Sequence, residues 1–90
     1  MRIRWTLAAA SDLQQIHEYL KEHEPHLAVP TMIALREGIL SLKKFPNRGR
    51  PGAVEDTREL LHARLPYIVA YRVKKDAVEV LHIWHPSQER

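Results

Sequence analysis

The chain has 90 residues, 44% hydrophobic and 28% charged, which is typical of one folded domain with one core and excludes a disordered segment. It contains no cysteine, which excludes disulfides and thiolate metal ligands and fits a reducing compartment. The N-terminus lacks the apolar stretch of a signal peptide, and no apolar run approaches the roughly 20 residues that span a bilayer, so we expect a cytoplasmic protein with no membrane partner.

The net charge of +3 is unevenly distributed along the chain. Residues 1–42 carry four basic and five acidic groups, whereas residues 43–90 carry ten basic and six acidic groups. The cations Lys43, Lys44, Arg48 and Arg50 fall close together with no acid among them, and we call them the basic surface. Such a cluster predicts an acidic binding partner; the alternative is a solvated turn whose charges serve solubility.

The N-terminal half predicts a strand followed by two helices. Polar and apolar residues alternate over residues 1–6, which indicates a short edge strand. Helical spacing of apolar residues follows over residues 8–23 and ends at Glu24-Pro25, because the residue before a proline disfavours the helix. The second helix carries a sustained apolar seam made of Ala28, Met32, Leu35, Ile39 and Leu42.

Pro30 constrains the second helix, since proline removes a backbone donor and clashes with the preceding turn. The helix can contain Pro30 if the helix begins near Leu27 or Ala28, or if its first turn is kinked. Phe45-Pro46 ends the helix. Residues 47–57 contain two glycines and a proline, which predicts a loop.

The C-terminal half predicts three strands. Residues 58–65 alternate, with Leu61, Ala63 and Leu65 on one face and Arg58, Leu60, His62 and Arg64 on the other. The runs PYIVAYRV and AVEVLHIWH then form a hairpin rich in β-branched and aromatic residues. The order β-α-α-β-β-β over residues 1–90 predicts one α+β domain, in which a helical hairpin packs on one face of a small, mainly antiparallel sheet.

Few residues suit nucleophilic or metal chemistry. The serines lack the strand-to-helix turn of a catalytic nucleophile. His23 and His26 flank Pro25, and His82 and His85 are three apart on a strand, so neither pair has metal-ligand geometry. We therefore predict no metal and no cofactor.

A basic sheet face is the better candidate site. Arg58 and Arg64 share a predicted strand face, and Arg72 and His82 lie on the next two strands. Guanidinium groups clamp phosphate oxygens and imidazole moves protons near neutral pH, as metal-independent RNA cleavage requires. The alternative is that Arg58 and Arg72 pair with Glu59 or Glu79 at the sheet rim while His82 packs beside Trp84.

Short motifs in order along nearly the whole chain resemble the RelE/ParE superfamily of type II toxins. These motifs are Trp5, Asp12-Leu13, Ile16, Tyr19-Leu20, Phe45-Pro46, Gly49-Arg50-Pro51-Gly52, Thr57-Arg58-Glu59-Leu60, Pro66-Tyr67-Ile68-Val69, Tyr71-Arg72-Val73, Val78-Glu79-Val80-Leu81, and His85 with Gln88. The long helical seam and the His-x-x-Gln ending are similar to the ParE branch.

The resemblance implies the toxin of a toxin–antitoxin (plasmid stabilisation) module that forms a hetero-oligomer with a cognate antitoxin. ParE-like members bind DNA gyrase, which is the expectation here. RelE-like members instead cleave mRNA on the ribosome without a metal. If the chain acts like RelE, the expected catalytic residues are Arg58, Arg64, Arg72, His82 and His85. A third possibility is a structural family member with no toxicity.

Overall fold

The computed structural model describes residues 1–87 and confirms the α+β architecture. Its elements are β1 (Arg2–Trp5), α1 (Leu7–His23), α2 (Pro25–Leu40), a 3-10 turn (Ser41–Lys43), β2 (Arg50–Pro51), β3 (Arg58–Leu61), β4 (Ile68–Val73) and β5 (Ala77–Trp84). The sheet order is β1-β5-β4-β3-β2. β1 runs parallel to β5, and the other neighbouring pairs are antiparallel.

Thr6 fixes the junction between β1 and α1. Its hydroxyl oxygen accepts a hydrogen bond from the Ala9 backbone N–H at 3.1 Å, which caps the helix. The same hydroxyl lies 2.9 Å from the Val80 carbonyl oxygen, to which it donates. One side chain therefore starts α1 and ties that start to β5.

The second helix begins earlier than the sequence predicts. It starts at Pro25, directly after Glu24, so Pro30 lies inside the helix and not in its first turn. Pro25 suits the first helical position because its missing N–H has no helical partner there. Pro30 is exposed, so water can reach the carbonyl that loses its helical hydrogen bond.

The predicted seam of α2 is confirmed as the helical side of the core. Ala28, Leu35, Ile39 and Leu42 are each 3% exposed or less, and Met32 is half-buried. The helices cover one face of the sheet, where the buried strand residues are Leu60, Val69, Tyr71, Val78, Val80 and Ile83.

The prediction for β3 is wrong in length, and the structure shows which of its two faces is buried. β3 ends at Leu61, and Leu60 is 6% exposed whereas Leu61 is 47% exposed. The register with β4 pairs Leu60 with the core residue Val69 and so directs Leu60 inward. Beyond Leu61 the chain turns, because the His62 imidazole Nδ1 accepts the N–H groups of Arg64 and Leu65 at 3.0 and 3.2 Å. Arg58 and Arg64 therefore do not share a strand face.

The loop before β2 is held by the largest buried side chain. Tyr71 is fully buried, and its hydroxyl donates to the Pro46 carbonyl oxygen at 2.7 Å. The same oxygen accepts the Gly49 backbone N–H at 2.8 Å. The loop then enters β2, a two-residue strand that pairs with β3 and lies in a stretch where the sequence pattern predicts a loop.

The helices are too short or too polar for a membrane. Within residues 1–87, neither α1 nor α2 combines the length and the apolar character that crossing a bilayer requires.

Replacement of two glycines should have opposite effects on stability. A Cβ at Gly49 would lie 2.7 Å from the Tyr71 hydroxyl oxygen and 2.9 Å from the Glu59 carbonyl oxygen. Gly49→Ala should therefore lower the free energy of unfolding by about 1–3 kcal/mol. At Gly38, inside α2, the nearest atom to a new Cβ is a Leu60 methyl at 3.7 Å. Gly38→Ala should raise stability by up to about 1 kcal/mol, because alanine favours the helix.

Urea denaturation of the two variants beside the unmodified chain measures both effects. A Gly49→Ala protein as stable as the unmodified chain would contradict the close packing of Tyr71 against this loop.

Candidate functional site

Two of the predicted catalytic arginines meet at one end of the sheet. Arg58 at the start of β3 and Arg72 near the end of β4 line a shallow cavity of about 670 Å³. We call this cavity the basic basin; the residues that line it are Asn47, Pro51, Asp56, Thr57, Arg58, Arg72, Val73 and Lys74.

Arg58 holds the loop of the fold. Its Nη1 donates to the Gly49 carbonyl oxygen at 2.7 Å and to the Asn47 carbonyl oxygen at 3.3 Å. Its neighbour Glu59 is engaged elsewhere, since Arg50 donates to one Glu59 carboxylate oxygen through Nε at 3.1 Å and Nη2 at 2.9 Å. The pairing of Arg58 with Glu59 that the sequence leaves open does not form; Arg50 takes Glu59 instead.

Arg72 is the arginine of the basin whose guanidinium remains available. Its backbone pairs with Glu79 on β5, but within residues 1–87 no carboxylate lies within ion-pair distance of its side chain. It is half-buried, while the adjacent Lys74 is exposed. These two cations give the basin the capacity to bind an anionic group.

The histidines lie away from the basin. The His82 imidazole Nδ1 is 3.2 Å from an Asp12 carboxylate oxygen, and that oxygen also accepts the Ile83 N–H at 3.0 Å. The His85 imidazole meets the Tyr67 ring edge-on, with centroids 5.9 Å apart, and its Nδ1 accepts the Ser87 N–H at 3.0 Å. Gln88 of the His-x-x-Gln motif lies outside the described residues.

The five predicted catalytic residues are therefore divided among separate places. Arg58 and Arg72 share the basin, Arg64 is exposed in the turn after β3, and the two histidines lie elsewhere. In the described part of the chain, no three histidine, aspartate or glutamate side chains are grouped to hold a metal ion.

The basic surface is solvent-exposed but only partly free. Lys43 and Lys44 are exposed, and the Lys44 Nζ lies 6.0 Å from the centroid of the Phe45 ring. Arg48 donates through Nη1 to the Ser41 hydroxyl at 2.7 Å, which leaves its charge unneutralised. Arg50 is neutralised by Glu59, with its nearest nitrogen 2.9 Å from the carboxylate. Three net positive charges therefore remain on this surface.

A second cavity, not anticipated from the sequence, lies between α1 and the adjoining ends of β4 and β5. Its volume is about 640 Å³, and we call it the acidic groove. Its lining residues are Asp12, Gln15, Ile16, Tyr19, Leu20, Glu24, Pro66, Tyr67, Ile83, His85 and Ser87. Among the described residues it is lined by carboxylates and aromatic rings and by no lysine or arginine.

The phenol of Tyr67 reflects the character of this groove. Burial raises the pKa of Tyr67 above its usual value of 10.0, and the neighbouring Tyr19 phenol and Glu24 carboxylate raise it further. All three influences favour the neutral phenol.

Tyr67 should make the fold sensitive to alkaline pH. Its pKa is raised in the folded chain, so the unfolded chain loses this proton first, and stability falls as pH rises above about 10. Tyr67→Phe should reduce that fall. Urea denaturation at about pH 8 and about pH 11 measures it.

Tyr19→Phe is the matched control, because it removes only a lesser cause of the raised pKa and should change the alkaline loss less. Equal alkaline losses in Tyr67→Phe and the unmodified chain would disprove the assignment.

Comparison with known proteins places the chain in a family. Residues 3–90 match the family described as ParE toxin of type II toxin-antitoxin system, parDE. The chain is 39% identical over 88 residues to Y4kP of Sinorhizobium fredii, covering 98% of this chain and 91% of that protein. It is 31% identical over 87 residues to toxin RelE2 of Caulobacter vibrioides, covering 97% of each.

A solved structure agrees with these relatives. The chromosomal ParDE toxin–antitoxin system of P. aeruginosa contains a chain similar in fold, with a TM-score of 0.85 and 28% identity, covering 94% of this chain and 95% of that one. The motif resemblance described above is thus confirmed at the level of the superfamily. The chain belongs to the ParE toxin family of type II toxin–antitoxin systems.

Proposed function

We propose that this toxin arrests growth by binding DNA gyrase and not by cutting RNA. The observation that supports the proposal is the separation of the acid–base groups from the arginines. Arg58 and Arg72 line the basic basin, whereas His85 lines the acidic groove and His82 contacts Asp12.

Metal-independent RNA cleavage needs several groups around one phosphate. A base must reach the 2′-hydroxyl, an acid must reach the leaving oxygen, and both lie within about 3 Å of the atoms they serve. Among the described residues that line the basin, the titratable side chains are Asp56, Arg58, Arg72 and Lys74, with no imidazole. Arg58 is already bound to two carbonyl oxygens. This set suits binding better than proton transfer.

The charges of the toxin suit a protein partner with an acidic surface. Lys43, Lys44 and Arg48 project three positive charges into solvent, and charges of this kind mainly accelerate association. The half-buried Arg72 and the exposed Lys74 then offer an anion site in the basin. The cognate antitoxin of the family must compete with the target for the toxin, which makes a toxin–antitoxin hetero-oligomer the resting state.

Ribosome-dependent mRNA cleavage is the second candidate. Two observations favour it: Arg58 and Arg72 share one cavity, as phosphate binding would require, and a relative carries the name RelE2. In that case the histidines would have to reach the substrate from outside the basin.

Expression without the antitoxin separates the candidates. We expect loss of negative supercoiling while messages stay intact, and inhibition of purified gyrase by purified toxin. Translation arrest with cut messages before any change in supercoiling would overturn the proposal and favour the nuclease. Normal growth with folded protein would indicate a non-toxic family member.

Substitution of the two basin arginines should affect different properties. Arg72→Ala should abolish most toxicity while leaving the free energy of unfolding within about 0.5 kcal/mol, because the guanidinium has no partner within residues 1–87. Arg58→Ala should instead lower stability by about 1–3 kcal/mol, because two loop carbonyls lose a charged donor. Growth assays on cells and urea denaturation of the purified variants measure the two properties.

Lys75→Ala, an exposed change outside the basin, is the control and should alter neither property. An Arg72→Ala protein that remains fully toxic would remove the basin from the binding surface.

A further inference from the structure

We propose that the acidic groove seats a lysine or arginine side chain from a segment of the cognate antitoxin. The inference uses family membership and the geometry of the groove, so it holds whichever target the toxin attacks. The groove is an exception in a chain of net charge +3, because the described residues that line it supply carboxylates, phenols and no lysine or arginine.

Glu24 lines the groove at the junction of the two helices. It joins the two helices, and its backbone N–H donates to the Leu20 carbonyl oxygen at 2.8 Å. Its own carbonyl oxygen accepts the Leu27 N–H at 2.9 Å. The carboxylate itself is exposed and meets no cation among residues 1–87. The backbone therefore presents an unpaired negative charge at a defined position.

Two aromatic rings line the groove beside this charge. Tyr19 is 58% exposed and packs on the His23 ring, with centroids 4.3 Å apart. Tyr67 is half-buried and meets His85 edge-on. The Glu24 carboxylate lines the same cavity as both phenols. Besides burial, Tyr19 and Glu24 both raise the pKa of Tyr67.

A carboxylate beside aromatic faces is complementary to one kind of side chain. Guanidinium and ammonium groups bind aromatic faces within about 6 Å of the ring centroid, and they pair with carboxylates. Their aliphatic stems suit the half-buried Ile16, which also lines the groove. An acidic segment or a nucleic acid would bring like charge against Glu24 and would be disfavoured.

The antitoxin is the partner to which the groove is assigned. A ParE-family toxin is held by an antitoxin, and the similar P. aeruginosa chain comes from such a system. The basic surface and basin attract acidic groups, so the groove is the place where a basic antitoxin residue gains most. The antitoxin segment at this site should therefore pair a cation with apolar neighbours.

The test measures the dissociation constant of the purified full-length toxin and purified cognate antitoxin by calorimetry. Glu24→Gln keeps the shape and removes the charge, and should weaken binding about fivefold. Glu24→Lys reverses the charge and should weaken binding about twentyfold or more. Glu22→Gln, at an exposed glutamate in the last turn of α1 that does not line the groove, is the matched control and should change binding less than about twofold.

A double-mutant cycle identifies the occupant. Each lysine and arginine of the antitoxin is replaced by methionine, and each replacement is combined with Glu24→Gln in the toxin. One antitoxin cation should lose most of its effect in the Glu24→Gln background, because the pair is already broken. Tyr67→Phe and Tyr19→Leu change the aromatic lining of the groove, and their dissociation constants for the antitoxin are measured in the same way. Thermal melts show whether each variant is folded.

Three results would overturn the proposal. The first is a dissociation constant that Glu24→Gln and Glu24→Lys leave unchanged. The second is the absence of coupling between Glu24 and any antitoxin cation. The third is weaker gyrase inhibition by Glu24→Gln with antitoxin binding intact, which would assign the groove to the target. A different result would contradict the gyrase proposal alone: unmodified toxin would bind the antitoxin but leave gyrase active.

Discussion

The arrangement of this toxin depends on one buried hydroxyl. Tyr71 is fully buried between the helices and the sheet, and its hydroxyl joins the Pro46 carbonyl to the Gly49 N–H. A buried phenol must find polar partners, and here the partners are the loop that leads from the helices to β2. Arg58 secures the same loop through the Gly49 carbonyl at 2.7 Å. The core thereby fixes the position of the loop that carries part of the basic surface and borders the basic basin.

This loop anchoring distinguishes Arg58 from Arg72. From the sequence, Arg58 and Arg72 look like an equivalent pair of phosphate-binding residues. In the structure Arg58 neutralises backbone carbonyl dipoles, whereas the Arg72 guanidinium faces the basin with Lys74 beside it. An arginine at a motif position can thus serve to hold a loop through its hydrogen bonds. Arg58 therefore has a structural role in holding the loop, whatever else it contacts.

The sequence predicts most of the fold and little of the site, for physical reasons. Helical periodicity identifies the seam at Leu35 and Ile39, because one helix face is buried along its whole length. The sequence does not show which face of β3 is buried, because Leu60 and Leu61 are both apolar and only the register with β4 decides between them. The acidic groove joins Tyr19 to Tyr67 across the fold, and no local pattern marks residues that meet only in three dimensions.

The acidic groove and the basic basin lie at opposite ends of β4, and this separation matters for how an antitoxin could cover both. Tyr67 of the acidic groove directly precedes the strand, and Arg72 of the basic basin lies near its other end. Six residues of extended chain span about 20 Å. An antitoxin anchored in the groove by a basic residue would have to reach across this distance to cover the basin. Such a segment would need opposite charges at its two ends, a basic one for Glu24 and an acidic one for Arg72. If the groove proposal holds, the antitoxin segment would carry a basic residue and an acidic residue about 20 Å apart.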